Sequence, residues 1–245
     1  MELFIWGIVI LSIYMLMYFI LYKFLKMTSS QFREVNYDRR MYIVKNYVKS
    51  FILGGGCYIS ILQAWYILWD YNSQNEHETK MNAIMYFLTD TVGLLLVRGL
   101  PANTKLHHIA TNLLGFYVIL SPHRTVCSAY IPVLYACFSS LAFSVNFYLA
   151  FRAQRPNSNK RKILSKLSYW IYAVTSVVNW FVQILYIPLV MMNGEYIFPL
   201  LYTVCLYVII KDDIILMRWL RDDFEKQSKK SDDEVVTKTS NMQNN

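Results

Sequence analysis

Residues 83–120, AIMYFLTDTVGLLLVRGLPANTKLHHIATNLLGFYVIL, decide the fold class of this chain. Two hydrophobic segments follow each other here, and Asp90 and the pair His107 and His108 lie within them. An aspartate at the centre of a membrane helix costs roughly 2.5 to 3.5 kcal/mol on insertion scales, so such residues are functional-site candidates by default. The stretch therefore predicts membrane helices that carry a polar site.

The composition of the whole chain supports a membrane protein. Of its 245 residues 56% are hydrophobic and 16% are charged, and the mean hydropathy is +0.29, which is too apolar for an ordinary soluble domain. Crossing a bilayer takes about 20 residues of helix. The segments of that length without Lys, Arg, Asp or Glu are 3–22, 51–69, 126–151 and 167–192. Three further segments, 81–97, a run from about Thr104 to Leu120, and 196–220, bring the prediction to about seven spans in an all-α polytopic transmembrane bundle.

The distribution of basic residues predicts the orientation, because short cytoplasmic loops collect Lys and Arg. The first and fifth connections are basic, whereas the even-numbered connections are not, so we expect a lumenal or exterior N-terminus and a cytosolic C-terminus. The net charge of +8 is then a topology determinant, and a nucleic-acid partner is not expected. The basic residues of the two connections are Lys23, Lys26, Arg33, Arg39, Arg40, Lys45 and Lys49, then Arg152, Arg155, Lys160, Arg161, Lys162 and Lys166.

The same patterns divide the chain into three parts. We predict a first transmembrane helix at 1–26, a six-helix membrane domain at 39–220 and a disordered cytosolic tail at 225–245, where aliphatic residues become scarce. The four cysteines have no paired spacing, and membrane diiron enzymes use more histidines than the four present here, so no metal site is expected.

Polar residues within the predicted spans recur at helical spacing, which places them on one face of each helix. Such stripes predict a polar cavity inside the bundle, with hydrogen bonds between helices, at about 0.6 kcal/mol each, as the alternative role. The residues that we assign to the cavity are Thr111, Asn112, Ser139, Asn146, Ser176, Asn179 and Gln183.

An aspartate near the middle of a span needs a partner or a water-filled cavity. The candidate partners of Asp90 are a histidine of the pair, Arg98, Thr89 and Thr91. Beside a histidine it would fix one tautomer and leave the other ring nitrogen free to act as acid, base or nucleophile. The candidate catalytic residues are therefore Asp90, His107 and His108, and a purely structural ion pair would use the same residues.

The motifs YFLTD and LHHIATNLL, with the helical pattern around them from about residue 39 to 220, resemble the TLC-domain family of the endoplasmic reticulum. That family includes ceramide synthases, translocating-chain-associated proteins and lipid-regulating members. In ceramide synthases the pattern HH-x-x-T, matched by His107, His108 and Thr111, implies transfer of an acyl group from acyl-CoA to a long-chain base. Their H-D-x-x-D segment has no counterpart, since no Asp or Glu occurs between Asp90 and Glu195. The aspartate before the pair is more similar to the non-ceramide-synthase branch, which is linked to phospholipid composition and protein traffic.

Two functions remain open from the sequence. As an acyltransferase on lipids, the chain would use His108 as general base or acyl acceptor, with His107 assisting and Asp90 orienting them, and acyl-CoA as the co-substrate without any other cofactor. Basic residues between 152 and 166 would attract its phosphates, although the positive-inside bias is the favoured explanation of these residues. As a non-enzymatic protein, the chain would be a cargo receptor, a translocon accessory or a regulator of lipid composition. Membrane lipids are the expected partners in either case.

Overall fold

The described part of the chain is built from α-helices. A computed structural model describes residues 2–69, 75–121, 127–154 and 160–243, and the side chains as far as Ser228. Within these ranges all regular structure is helical, which confirms the all-α prediction. Met1, Val126, Arg155 and the last two residues of the predicted tail lie outside the described residues. The helices are α1 (Glu2–Thr28), α2 (Ser30–Glu34), α3 (Tyr37–Trp69), α4 (Glu76–Leu96), α5 (Ala102–Leu120), α6 (Tyr130–Ser140), α7 (Phe143–Gln154), α8 (Lys160–Met192) and α9 (Ile197–Gln243).

Several of these helices are suited to cross a membrane. In the described ranges, α1, α3 and α8 are long and apolar enough to do so, and α6 with α7 adds a fourth if the pair counts as one span. On α8 the side chains of Val174, Val177 and Phe181 are exposed, as expected of a face that meets lipid. The chain is therefore a helical protein with three or four candidate membrane spans.

The segment predicted as one span at 126–151 is broken. Its two halves, α6 and α7, meet at an angle of 48°. At the break the N–H of Leu141 donates to Phe138 O at 3.2 Å and that of Ala142 to Ser139 O at 3.0 Å, which are the tighter bonds of a 3₁₀ turn. The Ser140 hydroxyl also donates to Cys137 O at 2.7 Å and so competes for the helix's own carbonyls. The prediction of a continuous helix here was wrong, because hydropathy does not report these local bonds.

The helix that contains the second predicted span begins much earlier than its apolar run. We placed the span at 51–69, whereas α3 begins at Tyr37, directly after Asn36. The side chain of Asn36 accepts a hydrogen bond from Arg39 N at 2.9 Å and so caps the first turn. Lys45 and Lys49, which we counted as loop residues, are therefore buried within a helix.

Packing among the helices leaves a polar interior. α3 lies against α6 and α7, α4 against α5, α8 against α9, and α9 also against α5, while α1 packs on the outside against α3 and α4. The hydroxyl of Tyr14 donates to Met85 O at 3.0 Å and ties α1 to α4. Helices α3 to α9 contribute the residues around the candidate site.

The last helix extends past its apolar part. α9 continues to Gln243, so the structure is helical over most of the segment that we predicted to be disordered from residue 225. Glu, Lys and Gln, which are frequent there, are favourable in helices even without tertiary contacts. The scarcity of aliphatic residues after residue 225 therefore indicates a segment without a hydrophobic core, but it does not determine the backbone conformation.

Candidate functional site

A short connection between α4 and α5 brings Asp90 next to the histidine pair. Asp90 is completely buried, and its Oδ1 lies 3.1 Å from Nδ1 of His108. That oxygen lies off the axis of the ring N–H, so the contact is electrostatic rather than a well-directed hydrogen bond. Thr111 donates from Oγ1 to Asp90 Oδ2 at 3.2 Å. Of the partners considered from sequence, the structure places a histidine against Asp90.

A lysine of α3 is the principal countercharge of this aspartate. The ammonium of Lys49 forms an ion pair with Asp90 Oδ1, and both side chains are buried. Its charge also lies 5.7 Å from the centre of the Tyr86 ring. A buried carboxylate without such a partner would be strongly unfavourable. Three helices, α3, α4 and α5, are therefore joined through Asp90.

A second lysine of α3 fixes the proton arrangement of His108. Lys45 Nζ lies 3.3 Å from His108 Nε2. An ammonium group can only donate, so Nε2 accepts and the ring proton resides on Nδ1, facing Asp90. Both ring nitrogens of His108 are thus engaged. The free nitrogen that we expected on this histidine is occupied by Lys45.

The other histidine of the pair faces a different carboxylate. His107 Nδ1 lies 3.3 Å from Asp212 Oδ2, and Thr104 donates to Asp212 Oδ1 at 3.4 Å. Asp212 belongs to α9, which packs on α5. We found no acidic partner for the pair between Asp90 and Glu195, and the structure supplies one from beyond that interval. As at His108, the contact is electrostatic rather than a well-directed hydrogen bond, and it leaves Nε2 of His107 outside the Asp–His contact.

A third buried carboxylate lies on the same helix. Tyr135 donates to Asp213 Oδ2 at 2.5 Å, and Tyr172 donates to Oδ1 at 2.7 Å. Each oxygen of Asp213 thus accepts a phenol from another helix, α6 or α8. The arrangement joins α6, α8 and α9.

These groups surround a central cavity of about 440 Å³. Its volume falls in the range of about 300 to 1,000 Å³ that is usual for small-molecule sites. Polar groups come from every helix from α3 to α9, and apolar groups complete the walls. Of the residues predicted from sequence, those that line it are His107, His108, Ser139, Asn146, Ser176 and Asn179.

The structure places Thr111, Asn112 and Gln183 outside this cavity, and Asp90 behind the histidine and the lysines. Asn112 donates to His108 O at 2.7 Å and accepts from Thr91, so it binds within the α4 and α5 pair. Gln183 links Asn179, at 3.3 Å, to the Tyr202 hydroxyl, at 3.0 Å. Helical periodicity identified the correct faces, but it does not tell a residue that reaches the cavity from one that bonds a neighbouring helix.

A cluster of charges and aromatic rings flanks one end of the cavity. The guanidinium of Arg152 lies 4.4 Å from the centre of the Trp219 ring, and both residues line the cavity. Asp223 accepts from Arg161 at 2.7 Å and from Tyr148, and its Oδ1 lies 3.6 Å from Arg152 Nε. Two arginines therefore share one carboxylate where α7, α8 and α9 meet.

Ligand atoms of Asp90, His107 and His108 lie within 4.8 Å of one another, which is a spacing that a metal ion could bridge. The surroundings do not favour a cation. Lys49 is bound to Asp90 and Lys45 to His108. The lone pairs with which Asp90 and His108 would bind a metal ion therefore already face ammonium groups. The donor set therefore matches a hydrogen-bonded network better than a metal centre.

Sequence reasoning missed the lysines and the α9 aspartates. Lys45 and Lys49 are one helical turn apart, and Asn36 is a usual N-cap residue, so an earlier start of α3 was readable. Asp212 and Asp213 were noticed only as interruptions of a span, although two adjacent carboxylates within an apolar segment indicate a buried site.

Comparison with protein-family models, with characterised proteins and with solved structures gives no match for this chain.

Proposed function

We propose that this chain is a multi-pass membrane protein that holds the acyl chain of a lipid in its central cavity and acts on that lipid beside the histidine pair. The observation that carries the proposal is the cavity itself. It combines apolar walls, including Phe138 and Leu149, with the two histidines and buried charges, in a bundle with three or four candidate membrane-spanning helices. An amphiphile, with one polar end and one apolar end, matches such a lining.

The proposal includes seven spans. α4 and α5 have 21 and 19 residues, which correspond to about 31 and 28 Å of helix, close to the thickness of the hydrocarbon core. With α9 and the bent pair of α6 and α7 they complete the set predicted from sequence. The basic connections then face the cytosol, the N-terminus faces the lumen or exterior, and the resemblance to TLC-domain proteins implies the endoplasmic reticulum.

Acyl transfer is the reaction that we propose for the site. Asp212 lies 3.3 Å from Nδ1 of His107 and its charge favours the ring proton at that nitrogen, which leaves Nε2 as the base. In that reaction His107 takes the proton of an acceptor hydroxyl or amine, the acceptor attacks the thioester carbonyl of acyl-CoA, and the proton returns to the departing thiolate. Asp90, Lys49 and His108 hold the histidine helix in place. From the sequence we expected His108 to be the base and His107 to assist. The proposal reverses these roles, because both ring nitrogens of His108 already face other groups, Asp90 and Lys45.

A non-enzymatic role is the second candidate. The contacts of Asp90 favour this role. Lys49, Thr111 and His108 all contact its carboxylate, as in an ion cluster that only stabilises the fold. The chain would then bind lipid, or regulate lipid composition, without a chemical step.

Lipid profiles of cells expressing matched membrane levels of the native chain, His107→Ala, His108→Ala or His77→Ala separate the two functions. His77 is exposed at the start of α4 and serves as the control. A lipid class that rises with the native chain and the control, and falls to the background level with His107→Ala, supports acyl transfer. Identical profiles for folded His107→Ala and native protein would rule out chemistry at this histidine.

A further inference from the structure

Lys45 carries a buried charge, and no carboxylate of the described residues forms an ion pair with it. The side chain is 4% exposed and lines the cavity. Among the described residues, the hydrogen-bond partner of its ammonium is His108 Nε2 at 3.3 Å. An ammonium has three donors, so two of them have no acceptor within the described part of the protein, although Lys45 lines the cavity.

The neighbouring charges are already engaged. Asp90 is held by Lys49, and Asp212 accepts from Thr104 and faces His107. Asp213 accepts a phenol at each oxygen. The carboxylates of the cavity therefore have donors or cationic partners, whereas Lys45 has a single ring nitrogen as its acceptor among the described residues.

The side chain of Lys45 packs closely against a glycine of α4. A Cβ added to Gly93 would lie 3.0 Å from Lys45 Cε and 3.5 Å from Cδ, so the stem of the lysine lies directly on the glycine. The ammonium is thus held at a defined place beside the histidine pair, in surroundings where an unpaired charge is costly.

From this arrangement we infer that the lipid bound in the cavity carries an anionic group, a carboxylate or a phosphate, and that Lys45 binds it. The inference rests on the proposed function and names the class of its ligand. The acid group lies on the α3 side next to His108, and the acyl chain extends along the apolar walls. A charge-assisted hydrogen bond in a site shielded from water is strong enough to discriminate an acid from a neutral analogue about tenfold or more.

Displacement of a fluorescent neutral acyl probe from the purified full-length chain in detergent tests the inference. The competitors are oleate against oleyl alcohol, and oleoyl lysophosphatidate against monooleoylglycerol. We expect at least one acid to bind about tenfold more tightly than its neutral partner. A preference confined to the first pair assigns a carboxylate, and one confined to the second assigns a phosphate.

Two variants locate the effect. In Lys45→Met, which keeps the apolar stem, we expect the acid preference to vanish while the neutral lipids bind as before. In Lys105→Met, which removes an exposed lysine two residues before His107, the preference should persist. Gly93→Ala displaces the Lys45 stem without changing any charge. It should weaken the preference for the acid. This variant tests the inference even if Lys45→Met does not fold.

The remaining outcomes overturn the inference. Equal binding of acids and neutral lipids by the native chain, or an acid preference that survives in Lys45→Met, contradicts a role for Lys45 but leaves lipid binding intact. If none of the probes binds, the proposed function fails together with the inference.

Discussion

Asp212 of α9 lies 3.3 Å from His107 of α5, and the two residues come from distant parts of the chain. The contact gives the first histidine of the pair a carboxylate of its own, while the second histidine uses Asp90. The pair therefore divides into two different environments. One nitrogen of His107 stays available, whereas both nitrogens of His108 are engaged.

This division predicts the effect of Asp212→Asn. The neutral amide no longer favours the imidazole proton at Nδ1 by its charge, so we expect the turnover of acyl transfer to fall about 10²-fold or more with an unchanged KM. Steady-state kinetics of the reconstituted chain measure both constants. Asp212→Glu should restore part of the turnover, and the exposed Asp222→Asn is the matched control. Native turnover in Asp212→Asn would contradict the role of His107 as the base.

The buried ion pair predicts a strongly non-additive mutant cycle. Asp90→Leu leaves the Lys49 ammonium buried without its partner, and we expect a loss of about 3 to 5 kcal/mol in the free energy of unfolding. The double variant Asp90→Leu/Lys49→Met removes both charges and should recover most of that loss. Unfolding in detergent measures the cycle, and equal stability of the single and double variants would contradict it.

The contact between α4 and α5 predicts that Gly115 tolerates no side chain. A Cβ at this position would lie 2.4 Å from Phe87 Cδ1, so we expect Gly115→Ala to cost about 1 to 3 kcal/mol through overpacking. Gly55→Ala is the control, because nothing lies within 4 Å of its added Cβ and alanine favours a helix by about 1 kcal/mol. The order of the two melting temperatures tests the prediction, which a stabilised Gly115→Ala would contradict.

The junction of α7, α8 and α9 predicts a smaller loss. Tyr148→Phe removes the phenol that donates to Asp223, and Arg161 still neutralises the carboxylate at 2.7 Å. We expect a loss of about 1 kcal/mol in the free energy of unfolding. Tyr169→Phe, on a partly buried tyrosine nearby, is the comparison. A loss of unfolding free energy as large as that of Asp90→Leu would contradict the prediction that the Tyr148 hydroxyl contributes only its hydrogen bond to Asp223.

The seven-span proposal predicts the sides of two connections. A glycosylation acceptor inserted at Gly194, between α8 and α9, should be modified in the lumen, and a protease site inserted at residues 156–164 should be cut from the cytosol. Mobility on gels and protection of sealed microsomes give the answer. The opposite pattern at either position would overturn the predicted orientation.

Several residues of the candidate site could be identified from the sequence, but the contacts between them could not. Asp90, His107 and His108 were identifiable because ionisable groups within apolar segments are rare. Lys45 and Lys49 were assigned to a loop because hydropathy marks where a helix becomes apolar, and not where it begins. Asp212 was invisible as a partner, since its contact depends on how α9 packs against α5.

The sequence by itself determined the helical class, the presence of segments long and apolar enough to span a membrane, and the polar faces, because hydrophobicity and its period are local properties of the chain. The tertiary structure alone decided the 48° break between α6 and α7, the lysine partners of Asp90 and His108, and the carboxylate that faces His107. These features depend on the packing of distant helices, where a few ångströms decide which group satisfies a buried charge. The same packing left Lys45 as the cavity cation that no carboxylate among the described residues contacts.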